Sequence, residues 1–186
     1  LSIFSVPIIC IELDLDLSII EKYCLDYRQN NTGRISSNVG GYQSEDLPKQ
    51  YDPEIESLLQ EIEKGNNEFA KAISLDGSLT LDNMWINING NGDSNSIHTH
   101  PGGVCSGVFY VKTPENSGNI MFINPAQLMK YSTSLLKYKE YNQFNTTGHW
   151  RKAESNVLYI FPSWLEHFVE QNLGKEERIS ISFNSY

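Results

Sequence analysis

Long apolar runs, paired cysteines and a surplus of positive charge are all missing from this chain, and each absence narrows what it can be. No stretch approaches the roughly 18 consecutive apolar residues of a membrane-spanning helix, so a membrane is not expected as a partner. The three cysteines, Cys10, Cys24 and Cys105, are odd in number and far apart, without the spacing of a zinc knuckle or a redox pair. They read as reduced thiols in a cytoplasmic protein. Acidic residues outnumber basic ones by 23 to 14, giving a formal net charge of −9 and a pI near 4.9. A broad attraction to phosphate backbones is therefore not expected, and nucleic acid is a poor partner. The opening Leu1 to Leu13 is apolar, but it lacks a basic leader and a small-residue cleavage site and runs into Glu12, Asp14 and Asp16. It is not expected to be a signal peptide, and the sequons at Asn30 and Asn145 are read as chance. There is no internal repeat and no low-complexity segment.

What is present suits one compact domain over residues 1–186, with 39% hydrophobic and 20% charged residues and hence one expected site. Helical support is expected within 14–75. Residues 2–13 read as a strand, Ser18 and Glu21 as a capping box opening a helix to about Arg28, and Asp52-Pro53 as the start of a second helix. In that second helix Ile55, Leu58, Leu59, Ile62 and Phe69 recur at helical spacing up to about Ala72. From Leu79 the chain turns to short β-like runs at 79–89, 97–100, 106–112, 119–124, 147–151, 157–161, 167–171 and 178–184. This predicts a mainly β fold with flanking helices, a sandwich or barrel whose core occupies about 79–186. The gap at 125–146 holds Leu128, Tyr131, Leu135, Leu136, Tyr138, Tyr141 and Phe144. It reads equally as a lid, an oligomer contact that would make a homodimer, or a packed helix.

Three of the four histidines fall in His98-Thr99-His100 and at His167. Residues two apart on a strand point to one face, so His98 and His100 can approach one ion together, and His167 from a neighbouring strand can complete a facial set with open positions. Taken alone, His-x-His reads as readily as part of a surface loop, because Pro101-Gly102-Gly103 follows. His149 has no evident partner, and Asp93 lies outside the alternation.

Arg178 follows His167 by eleven residues, with the turn-like Asn172-Leu173-Gly174-Lys175 between them. That predicts a hairpin setting the two side by side. Arg178, Ser180 and Ser182 alternate with Ile179, Ile181 and Phe183, so the polar set shares a face. A guanidinium fork with a hydroxyl beside it describes a carboxylate seat. The plainer alternative is a surface ion pair with Glu170, Glu176 or Glu177.

Together, Trp85-Ile86-Asn87, His98-Thr99-His100-Pro101, Ser106-Gly107-Val108-Phe109-Tyr110-Val111, Phe161-Pro162-Ser163-Trp164, His167 and Arg178-Ile179-Ser180-Ile181-Ser182-Phe183-Asn184 resemble the 2-oxoglutarate- and iron(II)-dependent oxygenases, above all small members from bacteria and phages. The resemblance covers residues 38 to 186 less the stretch at 125–146, and Gly41-Tyr42-Gln43-Ser44 fits the same pattern. It implies a double-stranded β-helix (jelly-roll, cupin-like), iron(II) as cofactor and 2-oxoglutarate as cosubstrate. By the same resemblance His98 and His167 take the first and last iron positions, and Arg178 with Ser180 takes the distal carboxylate. Tyr110 helps hold that carboxylate, Asn87 is a weaker polar contact, and no catalytic residue is implied beyond the metal ligands. The departure is His100, which stands where the family has a carboxylate. Three neutral imidazoles leave the ion its full +2 charge. The substrate stays open between a small molecule and a peptide or protein side chain. Two other readings stand beside this one: a cupin-like three-histidine metalloenzyme that does not use 2-oxoglutarate, and a metal-binding jelly-roll without catalysis.

Overall fold

The computed structural model describes residues 4–48, 52–126 and 136–186. Its elements run β1 Ile9–Glu12, α1 Leu17–Asn30, β2 Asn38–Val39, β3 Tyr42–Gln43, a 3₁₀ turn Pro53–Ile55, α2 Glu56–Ala72, β4 Leu81–Asn89, β5 Ser94–His98, β6 Cys105–Lys112, β7 Asn119–Ile123, β8 Gly148–Lys152, β9 Val157–Pro162, β10 His167–Val169 and β11 Arg178–Ser185. Among the described residues two antiparallel sheets form, one of six strands in the order β1-β9-β6-β11-β4-β3 and one of five in the order β2-β5-β10-β7-β8. From β4 onward consecutive strands alternate between the sheets, apart from β7 and β8, which pair with each other in the smaller one. That alternation is the winding of a double-stranded β-helix.

The two-residue period of a strand decides what each face of the larger sheet does. On β4 Met84, Ile86 and Ile88, on β11 Ile179, Ile181 and Phe183, and on β9 Leu158 and Ile160 join one apolar cluster with Ile55, Leu58, Ile62 and Phe69 from the second helical region. The helices thus cover the outer face. Gly65 permits the close approach of α2, because a Cβ there would lie 2.5 Å from Ile160 Cδ1. The alternate residues face the second sheet, where Val108, Tyr110, Ile120, Phe122, Val157, Tyr159 and Phe161 form a separate cluster. Trp85, Asn87, Arg178, Ser180 and Ser182 share that inner face and line a cavity.

Several expectations are corrected. The first strand is confined to Ile9–Glu12, and residues 1–3 lie outside the described set. Helix α1 is capped by Asp16, whose carboxylate accepts from Ser18 N at 3.0 Å and from Ser18 Oγ at 2.6 Å. Asp competes fully with Ser as an N-cap, and here it holds the hydroxyl of the expected cap. Asp52 makes no side-chain cap, and its carbonyl accepts from Ile55 N at 3.1 Å to close the 3₁₀ turn. In the long gap Leu128, Tyr131 and Leu135 lie outside the described residues. The described part contains no helix. Asn145 Oδ1 accepts from Asn142 N at 2.8 Å and Asn142 Oδ1 from Phe144 N at 2.9 Å, local bonds that compete with helical ones. Leu136, Tyr141 and Phe144 are exposed. Among the described residues no helix is long and apolar enough to cross a membrane.

Candidate active site

The three histidines converge, by a route that differs from simple strand parity. His98 is the last residue of β5 and pairs in register with His167, the first residue of β10, which pairs on its other side with Phe122. His98 and His167 therefore project from adjacent strands onto the inner face, with ring centroids 4.3 Å apart. His100 lies beyond the end of β5. Its backbone N–H donates to Ser163 O at 2.9 Å, which ties it to the β9–β10 loop. Its ring sits 4.9 Å from that of His98 and 5.1 Å from that of His167.

Backbone carbonyls set the tautomers. His98 Nδ1 lies 2.7 Å from Ser96 O and His167 Nδ1 lies 2.9 Å from Leu165 O. A carbonyl only accepts, so both Nδ1 atoms carry the proton and both Nε2 atoms present lone pairs. Donor nitrogens of all three rings lie within 4.8 Å of one another, and His100 Nε2 is 3.3 Å from His167 Nε2. Two nitrogens bound at right angles to one ion at about 2.1 Å stand roughly 3 Å apart. Burial, then the neighbouring His98, pushes His100 down to about 4 and His167 down to about 3, and burial also lowers His98. The rings are neutral at physiological pH, the state a metal requires. Among the described residues no carboxylate joins the group. Asp93 instead accepts from Gly90 N at 2.7 Å within the β4–β5 turn. His149 is exposed on the edge strand β8, paired with Phe122.

Arg178 stands in the same cavity. The expected hairpin with His167 does not form: β10 lies in the smaller sheet between β5 and β7, and β11 in the larger between β6 and β4. The connection crosses the sandwich, so Arg178 and His167 line the cavity from opposite sheets. The surface ion pair is excluded as well. Glu177 accepts from Arg28 at 2.6 and 3.0 Å, Glu176 lies 3.1 Å from Lys112, and the Glu170 carboxylate accepts from Asn119. Arg178 is 1% exposed, and its Nη1 donates to the carbonyls of Ser117 and Glu170.

Among the described residues its Nη2 has no partner, and neither does the hydroxyl of Tyr110. Burial pushes Tyr110 up to about 12, with Arg178 pulling the other way, so the phenol remains a proton donor. Burial lowers Arg178, opposed by Tyr110, Asp93 and Glu170. Ser180 sits between the two residues in register with both Asn87 and Tyr110. Asn87 donates through Nδ2 to Ser182 Oγ at 3.1 Å and leaves Oδ1 unpartnered. A residue not singled out in the sequence is Asn89, the register partner of Arg178, whose buried Nδ2 is also unpartnered. Continuing the alternation Trp85, Asn87 by one more step would have found it. A guanidinium N–H, a phenol and an amide N–H, all buried and unpaired, fit a carboxylate. The three imidazoles across the cavity fit a divalent transition metal.

A search of curated protein sequences finds no match. Among solved structures the fold resembles a Pseudomonas putida prolyl-4-hydroxylase, with TM-score 0.67, 11% identity and coverage of 95% of this chain and 91% of that one. It also resembles HygX from Streptomyces hygroscopicus, solved with nickel and 2-oxoglutarate bound, with TM-score 0.62, 8% identity and coverage of 97% and 82%. A Trichoplax adhaerens prolyl hydroxylase, in complex with a hypoxia inducible factor peptide fragment, gives TM-score 0.68, 13% identity and coverage of 96% and 83%. At such identities these similarities establish the double-stranded β-helix fold alone. The family model described as "Putative 2OG-Fe(II) oxygenase" matches residues 83–184, a span that contains all three clustered histidines, Tyr110 and Arg178, and the chain accordingly belongs to the 2-oxoglutarate- and iron(II)-dependent oxygenases.

Proposed function

We propose that His98, His100 and His167 hold iron(II) through imidazole nitrogens, and that Arg178, Tyr110 and Ser180 seat the distal carboxylate of 2-oxoglutarate, with Asn87 at its flank. The observation that carries this reading is the buried guanidinium, which among the described residues has no ionic partner and faces an unpaired phenol. A buried cation is costly, by several kcal/mol, unless an anion meets it. Bound together, iron(II) and 2-oxoglutarate supply the dioxygen activation that oxidises a second substrate.

The chain's own residues orient and shield that chemistry. The carbonyls of Ser96 and Leu165 fix two imidazole rings through Nδ1. The carbonyls of Ser117 and Glu170 fix the guanidinium through Nη1, leaving the other edge of its fork for the ligand. Val108, Ile120, Phe161 and Val169 supply the apolar part of the wall and exclude water from the carboxylate. The substrate is a small molecule or a peptide, and the peptide bound to the Trichoplax adhaerens neighbour supports including the latter.

The test is a titration of 2-oxoglutarate into manganese-loaded wild type, Arg178→Lys and Arg178→Ala, with circular dichroism to verify folding. Loss of a charge-assisted contact that leaves its partner buried costs about 2–5 kcal/mol, so Arg178→Ala is expected to bind at least tenfold more weakly. Arg178→Lys recovers part of that, because an ammonium keeps the charge without the planar fork. Equal affinity in folded Arg178→Ala would remove the carboxylate seat from the account.

A further inference from the structure

Two of the three clustered histidines are held by a carbonyl at Nδ1, and the third is not. His98 and His167 lie against Ser96 O and Leu165 O, whereas among the described residues His100 makes no hydrogen bond through Nδ1. His100 also stands beyond the end of β5, with Pro101, Gly102 and Gly103 after it, so no strand fixes its backbone. The β9–β10 loop does so instead, because the His100 N–H donates to Ser163 O at 2.9 Å. Its ring packs on Trp85, with centroids 5.6 Å apart. Ser163 in turn ends a chain of hydrogen bonds. Asn83 Nδ2 donates to Asp46 at 3.0 Å, so Asn83 Oδ1 accepts, from Asn184 Nδ2 at 2.9 Å. Asn184 Oδ1 then accepts from Ser106 Oγ at 2.7 Å. With that proton committed, Ser106 accepts from Ser163 Oγ at 2.8 Å. Asn83, Asn184 and Ser106 form one register row across β4, β11 and β6, and Ser106 and Ser163 are 1% and 0% exposed.

Resting on the reading of the histidines as metal ligands, we propose that Ser106 and Ser163 are positioning residues for His100. They hold the β9–β10 loop so that a ligand carried on a loop completes the set, in place of the carbonyl clamp that orients the other two rings. Neither serine touches the metal. The outer end of the chain supports the same ligand by a second route. Asp46 also accepts from Arg34 Nη2 at 2.8 Å, and the Arg34 guanidinium lies 5.9 Å from the centroid of the Trp85 ring, so both contacts of His100 lead back to the Arg34–Asp46 pair. Removing one hydroxyl from the row unpairs buried groups on both sides of it and frees the loop to shift. Partners behind a metal ligand typically change affinity about 10- to 100-fold when lost.

Cobalt(II) titration of wild type, Ser106→Ala and Ser185→Ala tests this, with visible absorption reporting the ligand geometry and urea denaturation the stability. Ser185 is the control: its buried hydroxyl accepts from Asn66 Nδ2 at 3.0 Å, in a contact that does not reach the loop. Ser106→Ala is expected to bind cobalt at least about tenfold more weakly and to change the d–d spectrum. Ser185→Ala is expected to lose stability with cobalt affinity and spectrum unchanged. In the metal-free protein, hydrogen exchange of the His100 amide is expected to quicken roughly fivefold or more in Ser106→Ala. The Asn172 amide, bonded to Asp93 O at 2.9 Å, keeps its rate. If Ser106→Ala does not fold, Ser163→Ala, which removes only the last hydroxyl, is held to the same expectations. Unchanged cobalt affinity and spectrum in the folded variant, or equal losses in Ser185→Ala, would overturn the proposal. Failure of wild type to bind cobalt would strike at the three-histidine site instead, and His100 exchange would still decide whether the serines hold the loop.

Discussion

Replacing Tyr110 by phenylalanine removes one oxygen atom from the floor of the cavity and keeps the ring that packs edge-on against Tyr159 with centroids 6.3 Å apart. Among the described residues that buried oxygen has no hydrogen-bond partner. An unsatisfied buried hydroxyl costs about 1–3 kcal/mol, so Tyr110→Phe is expected to be as stable as wild type or up to about 2 kcal/mol more stable. Binding runs the other way. A hydrogen bond to a charged group contributes about 1.5–3 kcal/mol, and each 1.4 kcal/mol is tenfold, so 2-oxoglutarate affinity is expected to fall roughly 10- to 100-fold. Burial holds the phenol at about 12, so it donates at any pH where the protein is studied, and the loss should not vary between pH 6.5 and 8.5. Urea denaturation gives the stability of both proteins, and calorimetric titration of 2-oxoglutarate into the manganese-loaded forms gives the affinity. A variant that loses more than 1 kcal/mol of stability while binding 2-oxoglutarate normally would refute the reasoning. Its hydroxyl would then serve the fold rather than the ligand.

Other consequences follow from the same geometry. His100→Ala is expected to lose most bound iron by elemental analysis, whereas His100→Asp, which restores the family's usual carboxylate, retains it; full occupancy in His100→Ala would place His100 outside the ligand set. The metal-free protein should lose stability as pH falls below 6.5. The folded pKa values of His100 and His167, about 4 and about 3, lie below the ordinary 6.5, so the unfolded chain takes up protons first. The linkage amounts to about 1.6 kcal/mol for each of the two between pH 6.5 and 5. A denaturation midpoint that stays flat over that range would contradict it. Gly118→Ala should weaken 2-oxoglutarate binding without touching the cavity. Gly118 has φ +80° and a Cβ there would lie 2.8 Å from Glu170 O, the carbonyl that steadies Arg178. The strain is worth about 1–3 kcal/mol in the same urea assay, and unchanged stability and affinity together would show that the loop yields without cost.

The parts of the fold governed by the two-residue strand period were legible in the sequence. Alternation of Arg178, Ser180 and Ser182 with Ile179, Ile181 and Phe183 assigned both faces of β11 correctly. The hairpin between His167 and Arg178 was misread because Asn172-Leu173-Gly174 turns the chain equally well within one sheet or from one sheet to the other. Here Asn172 Nδ2 bonds to Asn89 O at 2.9 Å and to Glu176 O at 2.8 Å, bracing a crossover. His100 reached the cluster from a loop held by Ser163 O, a long-range bond that no local pattern announces. Asn89 was not singled out because being unpartnered is a property of the surroundings. An amide on a strand looks the same in sequence whether or not its bonds are filled.

The central claim is that one cavity holds iron at the three histidines and 2-oxoglutarate at Arg178 simultaneously. Anaerobic addition of iron(II) and then 2-oxoglutarate to the purified protein, followed by visible absorption, tests it most directly. A metal-to-ligand charge-transfer band is expected only when both are present, absent in His167→Ala at any 2-oxoglutarate concentration and recovered in Arg178→Ala only at 2-oxoglutarate at least tenfold higher. No band in the wild type with both components at saturating concentration would contradict the claim.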